Sequence, residues 1–402
     1  MNAGSEPAPS TPRDELRRRA ETLQRHLRIA GLDAAVIAHN VNLFYFGGSV
    51  QSGVLIVPAE GDPVYAVRRV IERARTESAL ERIAPLPSLR GLAARLEEAV
   101  GRPAARVGME LDVLPVAVRD RYAAALGTVE IADVSAAVRR LRSVKSAYEL
   151  ERLRATARLS DAILDAAVEA LREGMTELEF SAEIEAAARR RGHEGLIRLH
   201  GWNQETYYGA IAAGPAAAVP AFPDLPLGGE GPGPSAPYGA GWRRIARGEP
   251  VIVDAPAVLG GYIIDATRTL VIGRLSDRLA RAHDAAVDIL KTVETAIRPG
   301  VTPEALNRIS FERAETLGYA EAFMGAGAYR VRYVGHGVGL ELDEWPVLAD
   351  GFTDPLEPGC VFAVEPKMIF PGVGVAGIED QYAVTATGCE RLTLAEQRLF
   401  TV

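Results

Sequence analysis

The sequence predicts two domains of different class, an N-terminal α/β domain and a second domain richer in strands and loops. Up to about residue 135, short β-rich segments alternate with helix-like stretches, which is typical of an α/β domain. A connecting helix and a long amphipathic helix follow, and from about residue 194 strands and loops dominate. A chain of 402 residues is also too long for one ordinary hydrophobic core.

The first domain is expected to begin with a helix. Thr11-Pro12 followed by Asp14 is a helix start signal, and Gly31 is expected to end this helix near Ala30. Strands are expected at 34–39, 42–46, 53–58 and 63–68, and helices at about 70–82 and 88–100. This domain is expected to span residues 13–140, after a disordered lead of residues 1–12 that is rich in Pro, Ser and Ala.

The second domain is expected over residues 141–402. Thr176 and Glu179 form a capping-box pattern that opens a helix reaching about residue 191. Further helices are expected at about 276–297 and 302–317. The stretch 220–242 is too rich in Gly and Pro for regular structure, and we interpret it as a long loop. Its position just before a predicted hairpin that carries Asp254 and Asp265 favours the interpretation of this loop as an active-site lid.

Composition excludes several classes of protein. With 48% hydrophobic and 24% charged residues, the chain is globular. A net charge of −8 argues against nucleic acid or an anionic membrane as partner. Cys360 and Cys389 are the two cysteines, so no disulfide framework is implied and a reducing cytoplasm is expected. No run of about 18 apolar residues is present to span a bilayer, and the N-terminus has no signal-peptide core.

Two aspartates flank a predicted hairpin in the stretch VIVDAPAVLGGYIIDATRT. Asp254 and Asp265 lie symmetrically about residues 259–260, and Gly260-Gly261 is a hairpin signal between β-rich runs. If the turn is centred there, the two side chains face each other across an antiparallel pair, with Cβ atoms about 5 Å apart. Like charges opposed on one sheet face destabilise it, so this arrangement points to a cation between them.

Two glutamates repeat the pattern further along the chain. Glu365 and Glu379 lie symmetrically about Gly372, in a turn-forming stretch, and His336 lies between the two acidic pairs. A carboxylate flanked by Val, Ile and Phe is costly to bury unless its charge is compensated. Four carboxylates and one imidazole therefore predict a site for one or two hard divalent cations. Solvated acids at hairpin ends are the alternative.

Six motifs follow one another along the chain. They are LRSVKSAYELERLRATA (141–157), REGMTELEFSAEIEAAARRRG (172–192), GGYIIDATRT, GHGVGLEL, AVEPKMIFPG and GIEDQYAVTATGCERLT (377–393). In this order and spacing they resemble the creatinase/aminopeptidase P/prolidase superfamily, and residues 41–48 and 53–68 resemble its N-terminal domain. The resemblance covers essentially the whole chain. It implies a creatinase/prolidase-like N-terminal α/β domain and an α+β catalytic domain with the pita-bread fold.

The resemblance also implies a role for each acidic residue. Asp254 would chelate one metal ion, His336 and Glu365 would chelate another, and Asp265 and Glu379 would bridge the two. An oxygen-rich set with one imidazole suits Mn²⁺ best, with Co²⁺, Zn²⁺ or Fe²⁺ as alternatives. Arg268 matches the arginine of the family's TRT motif, and we interpret it as a support for the cluster rather than a plain surface arginine.

The chain departs from the family pattern at several positions. Asp343 stands where the peptidases usually carry a second histidine, and no histidine is present between residues 201 and 282, where they carry another. Lys367 stands where a glycine usually follows Glu-Pro, and Gly377 where an arginine often precedes Ile-Glu-Asp. The ligand set is complete, but the two imidazoles that would move protons and hold the transition state are missing. These departures put peptide-bond hydrolysis in question without affecting the fold.

Other residues are candidates for the missing roles, each with a structural alternative. Asp343 is either a general base or a surface acid, and His200 either supplies an imidazole or is a structural histidine. The remaining candidates would bind substrate. Tyr207 and Tyr208 either donate hydrogen bonds to developing negative charge or pack as aromatic residues. Arg330 and Arg332 are expected on one strand face, where they either bind a substrate carboxylate or lie exposed.

Three functions are consistent with these features. The leading hypothesis is a metal-dependent hydrolase of small amides, nearest to an Xaa-Pro dipeptidase or aminopeptidase, with a dipeptide or other small molecule as substrate. The second is a non-peptidase of the same superfamily, an ectoine-type cyclic amidine hydrolase or a dimethylsulfoniopropionate-type lyase, because the proton-shuttle histidines are absent. The third is a binding protein without turnover, against which the complete ligand set argues. Family resemblance implies a homodimer.

Overall fold

The computed structural model describes residues 10–222 and 224–402. These residues divide into two units. One comprises Ser143–His200 and Gln204–Val402, and the other comprises the described residues up to Arg142 together with Gly201–Asn203. The lead predicted for residues 1–12 lies outside the described residues except for its last three. No helix in the described part of the chain is long and apolar enough to cross a membrane.

The N-terminal unit is built on one mixed sheet of six strands. The strand order is β4-β3-β2-β1-β5-β6, with β1 antiparallel to β2 and parallel to β5. Its elements in chain order are α1 (Arg13–Ala30), β1 (Ala34–Ile37), α2 (Asn40–Gly47), β2 (Gly53–Pro58), β3 (Val64–Val67), α3 (Ile71–Glu77), β4 (Arg82–Pro85), α4 (Leu92–Val100), β5 (Arg106–Met109), α5 (Val116–Leu126), β6 (Glu130–Asp133) and α6 (Ser135–Ser143), which extends one residue past the unit.

The sequence signals place most of these elements but misassign one. Helix α1 ends as expected at Gly31, whose φ of 65° is the left-handed conformation that glycine adopts at helix ends. The strand expected at 42–46 is wrong, because this segment lies inside α2. Most residues of α2 are buried, and a short run that is buried on nearly every side carries no periodicity that distinguishes helix from strand.

The second unit contains two sheets and two separate hairpins. One sheet has the order β19-β11-β8-β7, the other has the order β13-β12-β14-β17-β18, and the hairpins are β9-β10 and β15-β16. The elements are α7 (Ala147–Ala170), α8 (Glu177–Arg190), β7 (Ala210–Ala213), α9 (Gly214–Ala217), β8 (Val251–Asp254), β9 (Ala257–Leu259), β10 (Tyr262–Ile264), β11 (Thr267–Val271), α10 (Asp277–Ala296), α11 (Pro303–Thr316), β12 (Tyr333–Gly337), β13 (Glu344–Ala349), β14 (Val361–Val364), β15 (Lys367–Phe370), β16 (Gly374–Gly377), β17 (Asp380–Val384), β18 (Cys389–Arg391) and β19 (Phe400–Thr401).

Each sheet of this unit is covered by a pair of helices. The core beneath α7 and α8 joins Ile163 and Phe180 to Val253 of β8. The core beneath α10 and α11 joins Ile289 and Leu306 to Phe362 of β14 and to neighbouring strands. Burying these apolar faces on both sheets leaves the strand ends and the hairpins to carry polar groups.

Two local predictions are confirmed in this unit. Helix α8 begins with the expected capping box, in which the Thr176 hydroxyl accepts the Glu179 N–H and the Glu179 carboxylate accepts the Thr176 N–H. The stretch 220–242 contains no helix or named strand within its described residues. It is tied to α8 by the buried carboxylate of Glu177, which accepts the N–H groups of Gly241 and Ala213 at 2.8 Å each.

Candidate metal centre

The β15-β16 hairpin places two of the four acids opposite each other. Its register pairs Lys367 with Gly377 about Gly372, and the same register continues in β14-β17, where Val364 pairs with Asp380. Glu365 and Glu379 lie between these two ladders on facing positions, and both are buried. The symmetry about Gly372 seen in the sequence therefore corresponds to the actual turn.

The aspartate pair does not have the register that the sequence suggested. The β9-β10 turn is centred one residue later than expected, at Gly260-Gly261, and in the β8-β11 ladder Asp254 pairs with Thr267 rather than with Asp265. Two short ladders, separated by a break at residues 255–256 and 265–266, replace one continuous hairpin. The direct opposition of the aspartates is thus wrong, although both still reach the same cluster.

His336 directs one ring nitrogen at the acids. Its Nε2 lies 3.7 Å from Asp265 Oδ2, 3.8 Å from Glu365 Oε1 and 4.0 Å from Glu379 Oε1. Its Nδ1 lies 2.9 Å from the carbonyl of Leu342, a geometry in which Nδ1 carries the proton and Nε2 presents its lone pair to the carboxylates. Neighbouring glycines make room for this strand, since a Cβ on Gly335 would lie 2.0 Å from the Ala363 carbonyl.

The oxygens around Nε2 are those of a cation site. Ligand atoms of Asp265, His336 and Glu379 lie within 4.8 Å of one another. One metal ion with bonds of about 2.2 Å joins ligand atoms up to about 4.4 Å apart, which is close to this separation. Asp265 Oδ1 and Glu379 Oε1 are buried and have no hydrogen-bond partner among the described residues. Buried carboxylate oxygens without donors are costly, so these residues fit a divalent ion.

Burial and mutual repulsion perturb the titration of the cluster. Burial, together with the charges of Glu379 and Asp254, raises the pKa of Asp265 well above its ordinary value. Burial also raises the pKa of Asp254, while Lys367 opposes that shift. Burial alone would lower the pKa of His336, but the charges of Asp343 and Glu365 raise it. The carboxylates of the cluster thus repel one another and are stabilised by any positive charge placed among them.

Lys367 supplies the positive charge that the structure does contain. Its side chain is fully buried, and Nζ lies 2.6 Å from Glu365 Oε2, 3.2 Å from Glu379 Oε2 and 3.3 Å from Asp254 Oδ2. Burial alone would lower the pKa of Lys367, but these three carboxylates raise it well above its ordinary value. The ammonium therefore contacts three of the five side chains expected to bind metal.

Arg268 lies buried behind the cluster, which excludes the plain surface arginine. Its guanidinium donates to the backbone carbonyl of Glu379 at 2.6 Å and to Asp380 Oδ1 at 2.6 Å, and also to the carbonyls of Thr267, Ala395 and Glu396. It touches no ligand oxygen in these contacts. By holding the strand that carries Glu379, it fixes where that carboxylate points.

Asp343 and His200 lie beside the cluster in different ways. Asp343 Oδ1 is 3.3 Å from His336 Nδ1, which is the ring nitrogen on the side away from the acids, and the Asp343 side chain is 34% exposed. His200 Nδ1 lies 3.2 Å from Glu341 Oε2, and both of those side chains are largely buried. The described contacts therefore link Asp343, but not His200, to a metal-ligand candidate.

The four predicted substrate-binding residues have their described contacts elsewhere. Tyr207 is 69% exposed and packs edge-on against Tyr208, whose buried ring stacks on His193. Arg330 and Arg332 lie before β12 rather than on a strand face. Arg332 is exposed, while Arg330 is partly buried with Nε and Nη2 lacking a partner among the described residues.

Two tyrosines near the cluster were missed by the sequence reasoning. Burial and the charges of Asp254 and Asp265 raise the pKa of Tyr238, a residue of the 220–242 loop, well above its ordinary value. Burial and the charge of Glu365 act in the same way on Tyr333. No periodic pattern marks a residue in a Gly/Pro-rich loop, so the signal available for Tyr238 was its aromatic character alone.

Comparison with known proteins identifies the family of this chain. Residues 151–386, more than half of the chain, match the family model of metallopeptidase family M24. The chain belongs to metallopeptidase family M24. Residues 19–144 match the creatinase/prolidase N-terminal domain. These matches confirm the superfamily predicted from the six motifs, and membership in M24 implies divalent metal ions at the candidate site.

Relatives and solved structures agree with this assignment along the chain. The M24 chain is 27% identical to the Xaa-Pro dipeptidase of Pyrococcus furiosus over 387 residues, 96% of this chain and 100% of the relative. It superposes with a TM-score of 0.79 on the prolidase of Pyrococcus horikoshii, at 25% identity, covering 94% of this chain and 99% of that one. An Xaa-Pro dipeptidase from Bacillus anthracis gives a TM-score of 0.82 at 24% identity, covering 96% and 100%. The pita-bread catalytic fold and the creatinase-type N-terminal domain are thus confirmed.

Proposed function

We propose that this protein is a divalent-metal-dependent hydrolase that cleaves Xaa-Pro dipeptides. The observation that carries the proposal is the arrangement of His336 Nε2 beside the carboxylates of Asp265 and Glu379, each of which has one buried oxygen without a hydrogen-bond partner among the described residues. Similarity to the Xaa-Pro dipeptidase of Pyrococcus furiosus over 96% of the chain supports the substrate class. We propose Mn²⁺ as the ion, because one imidazole among carboxylates suits a hard or borderline ion.

The roles of the ligands follow from their positions. Asp265, His336 and Glu379 would hold an ion. The carboxylates of Asp254 and Glu365 lie beside the ammonium of Lys367. A bound divalent ion supplies Lewis-acid chemistry, which activates water and polarises an amide carbonyl. Glu379 is oriented for this task by Thr267, whose hydroxyl donates to Glu379 Oε2 at 2.7 Å.

The residues nearest to the ligands hold protons and shape the pocket. Lys367 places an ammonium among Asp254, Glu365 and Glu379, where it stabilises their negative charge. We propose that Asp343 is a positioning residue rather than a general base, because it faces Nδ1 of His336 and competes with a backbone carbonyl for that proton. The charges of Asp254 and Asp265 act on the phenol of Tyr238 in the 220–242 loop and raise its pKa, which supports the interpretation of this loop as a lid.

The second candidate function is less well supported. An ectoine-type hydrolase or a dimethylsulfoniopropionate-type lyase would explain the missing histidines, but the relatives found favour the peptidase. We keep five residues only as candidates for substrate contacts, namely His200, Tyr207, Tyr208, Arg330 and Arg332, and the one carboxylate contact described for them joins His200 to Glu341, outside the predicted ligands. A homodimer in the cytoplasm is proposed on family resemblance and on two cysteines that are both free.

Proline release from Xaa-Pro dipeptides in the presence of Mn²⁺ tests this function. The wild-type protein is expected to release proline and to lose this activity with a chelator. His336→Gln should lower turnover by about 100-fold or more, because it removes the imidazole ligand. His26→Gln, the same change at an exposed histidine of the N-terminal unit, should leave turnover unchanged. Absence of proline release from a folded, metal-loaded protein would refute the peptidase assignment.

A further inference from the structure

Lys367 and Gly377 together build a buried ammonium into the acidic cluster. The two residues are register partners in the β15-β16 hairpin. A Cβ on Gly377 would lie 2.7 Å from Lys367 Cγ and 3.1 Å from its Cβ, so the bare backbone at 377 is what lets the lysine stem pass. Glycine at position 377 therefore provides the space that the side chain of Lys367 occupies.

The ammonium has a complete set of partners. Lysine carries three donor protons, and Nζ faces three carboxylate oxygens, on Glu365 at 2.6 Å, Glu379 at 3.2 Å and Asp254 at 3.3 Å. These oxygens surround Nζ as ligands would surround an ion. A metal ion bonded to the same three oxygens would have to take the place of Nζ.

The choice of lysine at this position fits a single point charge. The chain carries 45 basic residues, of which Lys145, Lys291 and Lys367 alone are lysines. An ammonium is a compact point charge, whereas a guanidinium is a larger planar fork whose geometry matches a carboxylate in bidentate fashion. The chain uses arginine almost everywhere else, but the centre of three converging carboxylates suits the ammonium.

The unpartnered oxygens lie on the other side of the cluster. Glu379 divides its carboxylate, with Oε2 accepting from Thr267 and Lys367, while Oε1 is buried without a partner. Asp265 Oδ1 is likewise without a partner, and the other oxygen of the same carboxylate, Oδ2, lies 3.7 Å from His336 Nε2. The oxygens that still lack a positively charged partner thus define one cation position, beside Asp265, His336 and Glu379, rather than two.

We propose that the protein binds a single divalent ion, held by Asp265, His336 and Glu379, and that the ammonium of Lys367 takes the place of a second ion among Asp254, Glu365 and Glu379. The inference rests on the metal dependence proposed above and refines the number of ions from the two that resemblance implies. A second dication at hydrogen-bond range from the ammonium would be repelled by it, and it would compete for oxygens that already have donors.

Metal stoichiometry tests the inference directly. The purified protein is saturated with Mn²⁺ and freed of unbound ion, and manganese per chain is measured by elemental analysis together with the electron paramagnetic resonance spectrum. The wild type should hold about one ion per chain with the spectrum of isolated Mn²⁺. Lys367→Met and Lys367→Gln, which remove the charge but retain bulk, should hold about two ions with a spin-coupled spectrum.

Control variants separate this effect from general damage. Lys145→Met removes another buried ammonium, paired with Glu344 at 2.9 Å, and Lys291→Met removes an exposed one, and both should keep about one ion. Circular dichroism verifies that each variant is folded. The Gln variant covers the case in which Lys367→Met does not fold.

The outcomes discriminate between this inference and the proposed function. Two coupled ions in the wild type, no bound ion, or one ion in both the wild type and the folded Lys367 variants would each overturn the inference. Proline release is measured on the same samples. One ion without proline release would refute the peptidase function and leave the ion count standing, whereas two ions with proline release would do the reverse.

Discussion

The stability of the catalytic unit should depend strongly on Arg268. This arginine and Asp380 form an ion pair at 2.6 Å with side-chain exposures of 2% and 0%. Arg268 also donates to four backbone carbonyls. The perturbation is Arg268→Met, which keeps much of the side-chain volume but removes the charge and all of the donors.

The expected cost follows from what the substitution leaves behind. Breaking a buried pair by removing one partner typically costs about 3–5 kcal/mol, because the other charge stays buried. Asp380 would keep hydrogen bonds from Thr393 at 2.7 Å and Gln397 at 2.8 Å, which argues for the lower end. We expect a loss of about 3 kcal/mol, roughly a 150-fold change in the unfolding equilibrium.

Guanidinium unfolding with chelator present measures this loss without a contribution from bound metal. The fluorescence of Trp345, which packs edge-on against Phe352 in the same unit, provides a probe. Arg274→Met is the control, since Arg274 pairs with Asp277 at 86% and 70% exposure and should cost less than about 0.5 kcal/mol. A loss below about 1 kcal/mol for Arg268→Met would refute the reasoning from burial.

Two further predictions concern a ligand neighbour and the N-terminal unit. Asp343→Asn should weaken Mn²⁺ binding by about 10–100-fold while turnover at saturating Mn²⁺ stays near wild type, and abolished turnover there would instead make Asp343 the general base. Burial raises the pKa of Glu110 to about 7. Between about pH 4.5 and 7 the folded state therefore keeps a proton on Glu110 that the unfolded state releases. The unfolding free energy should fall by about 3 kcal/mol as the pH rises through this range. Glu110→Gln should flatten the dependence of unfolding free energy on pH between about 5 and 7.5, while Glu97→Gln, at an exposed residue of the same unit, should not. An unchanged slope in Glu110→Gln would contradict the shift.

The elements that were predictable from the sequence are those with local signals. The capping box of Thr176 and Glu179 opens α8, Gly31 ends α1, and the symmetry of two glutamates about Gly372 corresponds to a real turn. Each of these features depends on residues within a few positions of one another. Local hydrogen bonds and backbone preferences determine them before tertiary packing does.

The features that were not predictable depend on packing or on a break in a strand. Helix α2 is buried on nearly all sides, so its sequence shows no helical periodicity. The pairing of Asp254 with Thr267 follows from a turn centred at Gly260-Gly261, one residue later than the midpoint of the two aspartates, and the spacing of the aspartates alone does not reveal that shift. The position of Lys367 between three carboxylates could be read only from the folded chain, although the unusual lysine and glycine at 367 and 377 marked the place.

The turn that joins β15 and β16 carries a constraint of length in addition to its need for glycine at 372, where φ is 70°. Residues 371–373 are exposed, and exposed loops ordinarily tolerate an added or lost residue at little energetic cost. Here Glu365 and Glu379 meet because equal numbers of residues separate each of them from Gly372. One inserted residue would send one glutamate to the opposite sheet face. Over evolutionary time this surface bend should therefore drift in amino-acid identity at residues 371 and 373, while it retains Gly372 and rejects insertions and deletions.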